Sequence, residues 1–314
     1  MTLSVIDFHN HHVPARFELT TTRGAPADQR GRWAALNLKL ADEAALLDDI
    51  FSGDLTARVV NAPAALIADA EGRVPREKIA AINDELAGLV SRHPGHIHGL
   101  ATIDAYDGEH AAKELERAIK VLGLRGVFVD SARGDRLIDA PEARPTLRVA
   151  AELGAPVFVH PVNPQPLTDQ LAPYGRLGTL LARGTVNSAA LVALLEGGVF
   201  AELPRLKVVV TALAFGGLAL AGGFSHYSLL PGGALETLRR QVWIDTMGFD
   251  PVLLRASIDL LGETHVLAGS DWPIVSDGPI QPKLTKALAE IGLSDGAQKL
   301  IASNNALSLL GLRK

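Results

Sequence analysis

Val5-Ile6-Asp7-Phe8-His9-Asn10-His11-His12 is the stretch from which the rest of the chain is read. The residues before it are apolar or small, so it marks a β-strand that starts almost at the first residue. Side chains alternate faces along a strand, so His9 and His11 are expected to point the same way, with Asp7 on that side below them. Two imidazoles side by side at a strand end form a bidentate grip on a divalent metal. Alternatively they are merely polar residues at a strand end, and the surrounding chain has to decide.

Working outward, seven more short apolar runs follow. They are Arg58-Val59-Val60-Asn61, His96-Ile97-His98-Gly99-Leu100-Ala101, Gly126-Val127-Phe128-Val129-Asp130 and Pro156-Val157-Phe158-Val159-His160. Then come Lys207-Val208-Val209-Val210-Thr211, Val242-Trp243-Ile244-Asp245-Thr246 and His265-Val266-Leu267-Ala268-Gly269. Continuous apolar runs suit strands buried on both faces, as in parallel sheets. The spacers read as helices: Leu115, Ala118, Ile119 and Leu122 share one face before Gly123, and Ile79, Ile82, Leu86 and Leu89 repeat that spacing. Eight strands alternating with helices predict a (β/α)8 barrel, with an open doubly wound sheet as the second choice. No Gly-rich dinucleotide fingerprint follows the first strand, which weakens the second choice.

A chain of 314 residues accommodates one such barrel, which needs roughly 250, and no linker divides it, so residues 1–314 read as a single domain. Long connections follow strands one, five and six, at residues 13–40, 161–187 and 213–231. They leave the C-terminal strand ends, where barrel enzymes build their sites. The net charge of -5 carries no basic block, which argues against nucleic acid. There is no cysteine, so thiolate chemistry is excluded and any metal must use histidine and carboxylate ligands. Residues 208–224 lack charge over nearly a bilayer's length, yet Gly216, Gly217, Gly222 and Gly223 favour a buried strand followed by a glycine-rich loop, with no membrane span. Without an export signal the expected location is cytoplasmic.

In this register four metal-binding candidates sit at C-terminal strand ends: His9, His11, His160, and Asp271 in Gly269-Ser270-Asp271-Trp272-Pro273. Three histidines and a carboxylate suit one divalent ion, zinc as first choice and manganese as second, with a position left for water or substrate. These motifs resemble the mononuclear branch of the amidohydrolase superfamily, the group that contains aminocarboxymuconate-semialdehyde decarboxylase. Ile6-Asp7-Phe8-His9-Asn10-His11, Asn83-Asp84-Glu85-Leu86, Leu124-Arg125-Gly126-Val127, Pro156-Val157-Phe158-Val159-His160-Pro161 and Gly269-Ser270-Asp271-Trp272-Pro273 carry the resemblance over essentially the whole length. It implies that His9, His11, His160 and Asp271 surround one metal, and that the protein is a homodimer. The fourth strand ends at Asp130, without the lysine that bridges two metals in binuclear relatives.

One departure stands out. The family usually carries a histidine at the end of strand six, and this chain has Ala212 in Val210-Thr211-Ala212-Leu213. Asp271 as sole base, His226 reaching back from its loop, or a barrel that binds without turnover are the three explanations. Arg16, Phe17 and Trp33, on the connection that also carries Arg23, Arg30 and Arg32, are candidates to hold an aromatic or carboxylate substrate, and Asn163, Tyr174 and Trp272 to line the pocket. The favoured reaction is metal-assisted hydrolysis of a small cyclic or aromatic amide or lactone. Non-oxidative decarboxylation of an aromatic or muconate-type acid is the alternative, and a catalytically silent ligand-binding barrel the second.

Overall fold

A computed structural model describes residues 3–19, 30–69, 73–276 and 278–312. Its eight barrel strands are β1 (Ile6–His11), β2 (Ala57–Asn61), β3 (Ile97–Thr102), β4 (Gly126–Asp130), β5 (Val157–His160), β6 (Val208–Val210), β7 (Val242–Asp245) and β8 (Val266–Leu267). They pair in parallel in chain order. The first and last strands meet through Phe8 N–H to Ala268 O (2.8 Å) and the bridge between Asn10 and Trp272, closing a (β/α)8 barrel. A small antiparallel hairpin, Ala132–Arg133 with Arg136–Leu137, lies above β4.

Each strand is apolar on both sides because it faces two cores. Ile6, Phe8, Val59, Leu100, Phe128, Phe158, Val209 and Leu267 fill the barrel interior. Val208 and Val210 flank Val209 and turn outward, joining Val127, Val129, Val157 and Val159 against the helices. Helices α1 (Arg30–Ala41) and α2 (Glu43–Phe51) follow β1, and the Asp42 carboxylate caps α2 by accepting from the Ala44 and Ala45 N–H groups. Next come α3 (Arg76–Arg92), α4 (Glu109–Lys120) and α5 (Arg144–Leu153), the last ended by Gly154 in the left-handed conformation. After β5 the chain forms α6 (Leu167–Leu171) and the long α7 (Gly175–Glu196), then α8 (Val199–Glu202).

Two expectations are corrected. In β1 the register against β2 slips between Asp7 and Asn10, where two residues, Phe8 and His9, stand against one of the partner, Val59. Such a bulge re-aims side chains. Phe8 and His9 therefore both reach the interior side, while Asp7 lies on the opposite face, paired with Arg58, rather than below the histidines. Second, the glycine-rich run after β6 is a helix, α9 (Phe215–Gly223), not a loop. A Cβ on Gly217 would stand 2.7 Å from the Ser188 carbonyl oxygen of α7, so the glycine serves close helix packing. One stretch, Leu167–Glu196, is long and apolar enough to cross a membrane by length and composition, with mean hydropathy 1.3.

Candidate metal centre and its cavity

The C-terminal rim of the barrel brings His9, His11, His160 and Asp271 together, with one ligand atom from each lying within 4.8 Å of the others. All four are buried. His9 Nδ1–H donates to Asp245 Oδ2 (2.6 Å), which leaves the Nε2 lone pair facing the centre. That Nε2 is buried and has no hydrogen-bond partner. Asn61 Nδ2 donates to Asn10 O (3.0 Å), so its Oδ1 accepts from His11 Nδ1–H (2.8 Å), and His11 Nε2 is likewise turned inward, 3.0 Å from Asp271 Oδ1. An orphaned imidazole nitrogen inside a three-histidine, one-carboxylate cluster of this span fits one divalent ion.

Asp271 owes its place to the residues around it. Gly269 lets the chain pass close to the His9–Asp245 pair, because a Cβ there would stand 2.9 Å from the Cβ atoms of both. Ser270 anchors the turn through N–H and Oγ–H bonds to the Asp7 carboxylate (3.0 and 2.7 Å). Asp271 itself adopts φ = 55°, a left-handed conformation that Asp tolerates better than most residues.

Burial and charge set the protonation states. Burial, reinforced by His11, Arg183 and His9, pushes His160 well below the usual imidazole range, so its ring is neutral, the form in which an imidazole can donate a lone pair. Burial opposes a charge on His9, but Asp271 and Asp245 outweigh it and raise its pKa. Burial also opposes ionisation of Asp271, yet His9, His11 and Arg183 hold its carboxyl below the ordinary value. We expect Asp245→Asn, which removes the charge orienting His9, to weaken metal affinity roughly 10- to 100-fold in a competition titration with a coloured chelator.

Asp130, at the end of β4, is pushed up to about 7 by burial and by Asp104, against the pull of Arg133 and Arg183, and its Oδ1 has no hydrogen-bond partner. The fold holds this proton more tightly than the unfolded chain does. The protonated carboxyl's stability is therefore lost as pH rises through the folded value. Asp130→Asn is expected to match the parent near pH 4 and exceed it by roughly 1–3 kcal/mol at pH 8, its partial exposure allowed for. Urea denaturation of the metal-free proteins at the two pH values measures this.

A cavity of ≈ 190 Å³ opens at the donors His11, His160 and Asp271. Trp33, Leu66, Pro161, Leu180, Leu213 and Val275 give it apolar walls, and Arg32, Arg176 and Arg183 give it positive charge. Arg183, from α7, donates to Asn163 Oδ1 (3.2 Å) and acts electrostatically on both Asp271 and Asp130.

Besides the metal donors, Asn163 and Trp33 of the residues singled out beforehand line this cavity, and so does Arg32 of the same connection. The others do not. His226 is exposed in a short turn with its ring 4.2 Å from that of Tyr227, and it does not line the cavity, so it cannot supply the missing strand-six histidine from there. Arg16 is drawn to α3, where it pairs with Glu85 (3.0 Å) and Ala81 O (3.1 Å), and it stacks over Phe17, which packs on the core. Trp272 is buried under the Arg58 guanidinium, and Tyr174 is exposed. Arg23 lies outside the described residues. Ala212 donates its N–H to Asp245 Oδ1 (2.9 Å), while the next residue, Leu213, faces the cavity.

Reading sequence alone missed Asp245, Asn61 and Arg183. The first two end strands β7 and β2, so the strand-end rule that singled out His160 would have found them. Arg183 sits inside a helix and carries no local signal.

A barrel with this donor set at its rim defines a mononuclear metal-site protein of the (β/α)8 class. The chain belongs to the amidohydrolase family, whose profile matches residues 6–312. It is 29% identical over 243 residues to a 2-amino-3-carboxymuconate-6-semialdehyde decarboxylase of Dictyostelium discoideum, covering 74% of this chain and 66% of that protein. It is also 29% identical over 220 residues to a gamma-resorcylate decarboxylase of a Polaromonas species, covering 67% and 63%. The chain thus spans just under two thirds of the length of these relatives. Among solved structures, 5-carboxyvanillate decarboxylase of Sphingomonas paucimobilis superposes with TM-score 0.85 at 22% identity, over 99% of this chain and 100% of that one. A Polaromonas dihydroxybenzoic acid decarboxylase with bound manganese and 2-nitroresorcinol gives 0.84 at 23%, over 99% and 98%. These relatives are decarboxylases, which overturns the expectation of amide or lactone hydrolysis. The ion in the Polaromonas protein is manganese, not the zinc that the residue types favoured.

Proposed function

We propose that this chain is a metal-dependent decarboxylase that removes carbon dioxide from a small aromatic or muconate-type acid, with residues 1–314 acting as one barrel domain. The observation that carries this reading is the cavity. Its metal donors lie beside the Arg183 guanidinium and beneath apolar walls, an arrangement suited to a flat anion. The decarboxylases among the relatives support it.

His9, His11, His160 and Asp271 would hold the ion, with manganese preferred over zinc by likeness to the Polaromonas protein. When bound, it supplies a fixed positive charge that holds the carboxylate and a neighbouring oxygen of the acid. Arg183 neutralises and orients the anion, and Trp33, Leu180 and Leu213 keep water from the ring. Asp271 is the carboxylate that lines the cavity and is the proton carrier in this reading. Ionised in the resting site, it first takes a proton from water and then passes that proton to the carbon bearing the carboxylate. The bond to that carboxylate then breaks, its electron pair returns to the unsaturated system, and carbon dioxide leaves.

The test is carbon dioxide release from manganese-loaded protein given a panel of hydroxybenzoates and muconate-type acids, beside amides and lactones of similar size. Release matching the loss of acid, with no hydrolysis, is the expected result. No release from any acid by protein shown to carry its metal would sink this reading.

A further inference from the structure

Arg32 and Arg176 stand together at the mouth of the cavity. They come from α1 and from the first turn of α7, and both donate to a single acceptor, Ile274 O, at 3.1 and 3.2 Å. Among the described residues no carboxylate pairs with either guanidinium. Burial disfavours the charge on Arg32, and Arg176 disfavours it further. Two like charges converging on one neutral carbonyl repel each other unless an anion joins them.

The surroundings match. A second cavity of ≈ 270 Å³ shares Arg32, Arg176, Ile274 and Val275 with the first, adds Lys39, and among the described residues is lined by no acidic one. Its distance from the metal donors is short. Ile274 N–H donates to Asp271 O (2.8 Å), so the paired guanidinium groups are one backbone turn away from the carboxylate at the metal site. Among the described residues, the main cavity therefore sets three arginines against one carboxylate, Asp271. The metal end and Arg183 account for the group that leaves. Among the described residues, no carboxylate neutralises the pair at the mouth.

We propose that Arg32 and Arg176 form a second anion subsite holding an acidic group that the reaction leaves in place, so that the substrate of this chain is an unsaturated or aromatic dicarboxylic acid. Forked guanidinium groups match a planar carboxylate, which distinguishes this from general steering of anions. The proposal rests on the decarboxylase reading for the bond that breaks, and not for binding.

Calorimetry on manganese-loaded protein tests it with two non-reacting probes, benzoate and benzene-1,3-dicarboxylate. The dicarboxylate is expected to bind at least roughly tenfold more tightly. Arg32→Gln and Arg176→Gln should each cost about tenfold for the dicarboxylate and under about twofold for benzoate. Both side chains are exposed, so folding is not at stake. In turnover, 4-hydroxybenzene-1,3-dicarboxylate should lose kcat/KM through KM in the variants, while 2-hydroxybenzoate keeps its values. Equal losses for both probes, or none, overturn the subsite. If no acid releases carbon dioxide but the dicarboxylate still binds through the arginine pair, the subsite stands and the decarboxylase reading falls. If the monoacid is turned over as well as the diacid regardless of Arg32 and Arg176, the reaction stands and the subsite falls.

Discussion

Asp271→Asn is expected to lower carbon dioxide release by at least roughly 10³-fold while leaving the fold intact. The fold survives because asparagine also tolerates the left-handed conformation that position 271 adopts at φ = 55°. Activity falls for two reasons. A general acid is typically worth 10²–10⁴-fold, and the amide cannot carry its proton. Loss of the negative charge also removes what balances His9 and His11. Metal content and circular dichroism measured beside turnover separate the two: a variant that keeps its metal and loses its rate isolates the proton step. Full turnover would show that the proton travels by another route.

Asp7→Ala is expected to cost about 3–5 kcal/mol of stability, the usual consequence of leaving one half of a buried ion pair alone. Arg58 is wholly buried. It donates to Asp7 Oδ2 (2.9 Å) and to the Asp49 carboxylate, and lies over the Trp272 ring at 4.7 Å. Asp7 in turn accepts from Arg58, from Ser270 through N–H and Oγ–H, and from His9 N–H. Burial pushes its carboxyl upward against the pull of Arg58, Ser270 and His9, so this charge is held by its donors alone. Denaturant unfolding measures the loss. The double variant Asp7→Ala, Arg58→Met should recover much of it, because no buried guanidinium is then stranded. Single and double variants that are equally unstable would mean that the pair acts through shape rather than charge.

The barrel was legible because its strands are short, apolar and separated by helices with clear stops. Gly123 and Gly154 end two of those stretches just before the next strand. The four metal donors were legible for a related reason: chemistry-bearing residues at strand ends are few in a chain whose strands are otherwise valine, isoleucine and phenylalanine. What escaped depends on contacts distant in sequence. Asp245 and His9 are 236 residues apart, and only closure of the barrel puts them within 2.6 Å. Arg176 and Arg183 lie on a helix whose rotation over the cavity is set by its packing on α9, which no local pattern encodes. His226 drew attention as a histidine near the vacant strand-six position, and nearness in sequence did not become nearness in space. The face of Asp7 was misread because alternation assumes an unbroken register.

That broken register makes β1 sensitive to length in a way that it is not to composition. Removing Phe8 would retain both histidines, yet ordinary two-residue alternation would resume and rotate one part of the strand against the other. Asp7 and the histidines could not then all keep their present partners, so the site would be lost with its parts intact. Point substitutions change one partner at a time and leave that register in place. Libraries that insert or delete a single codon in β1 should return almost nothing that binds metal.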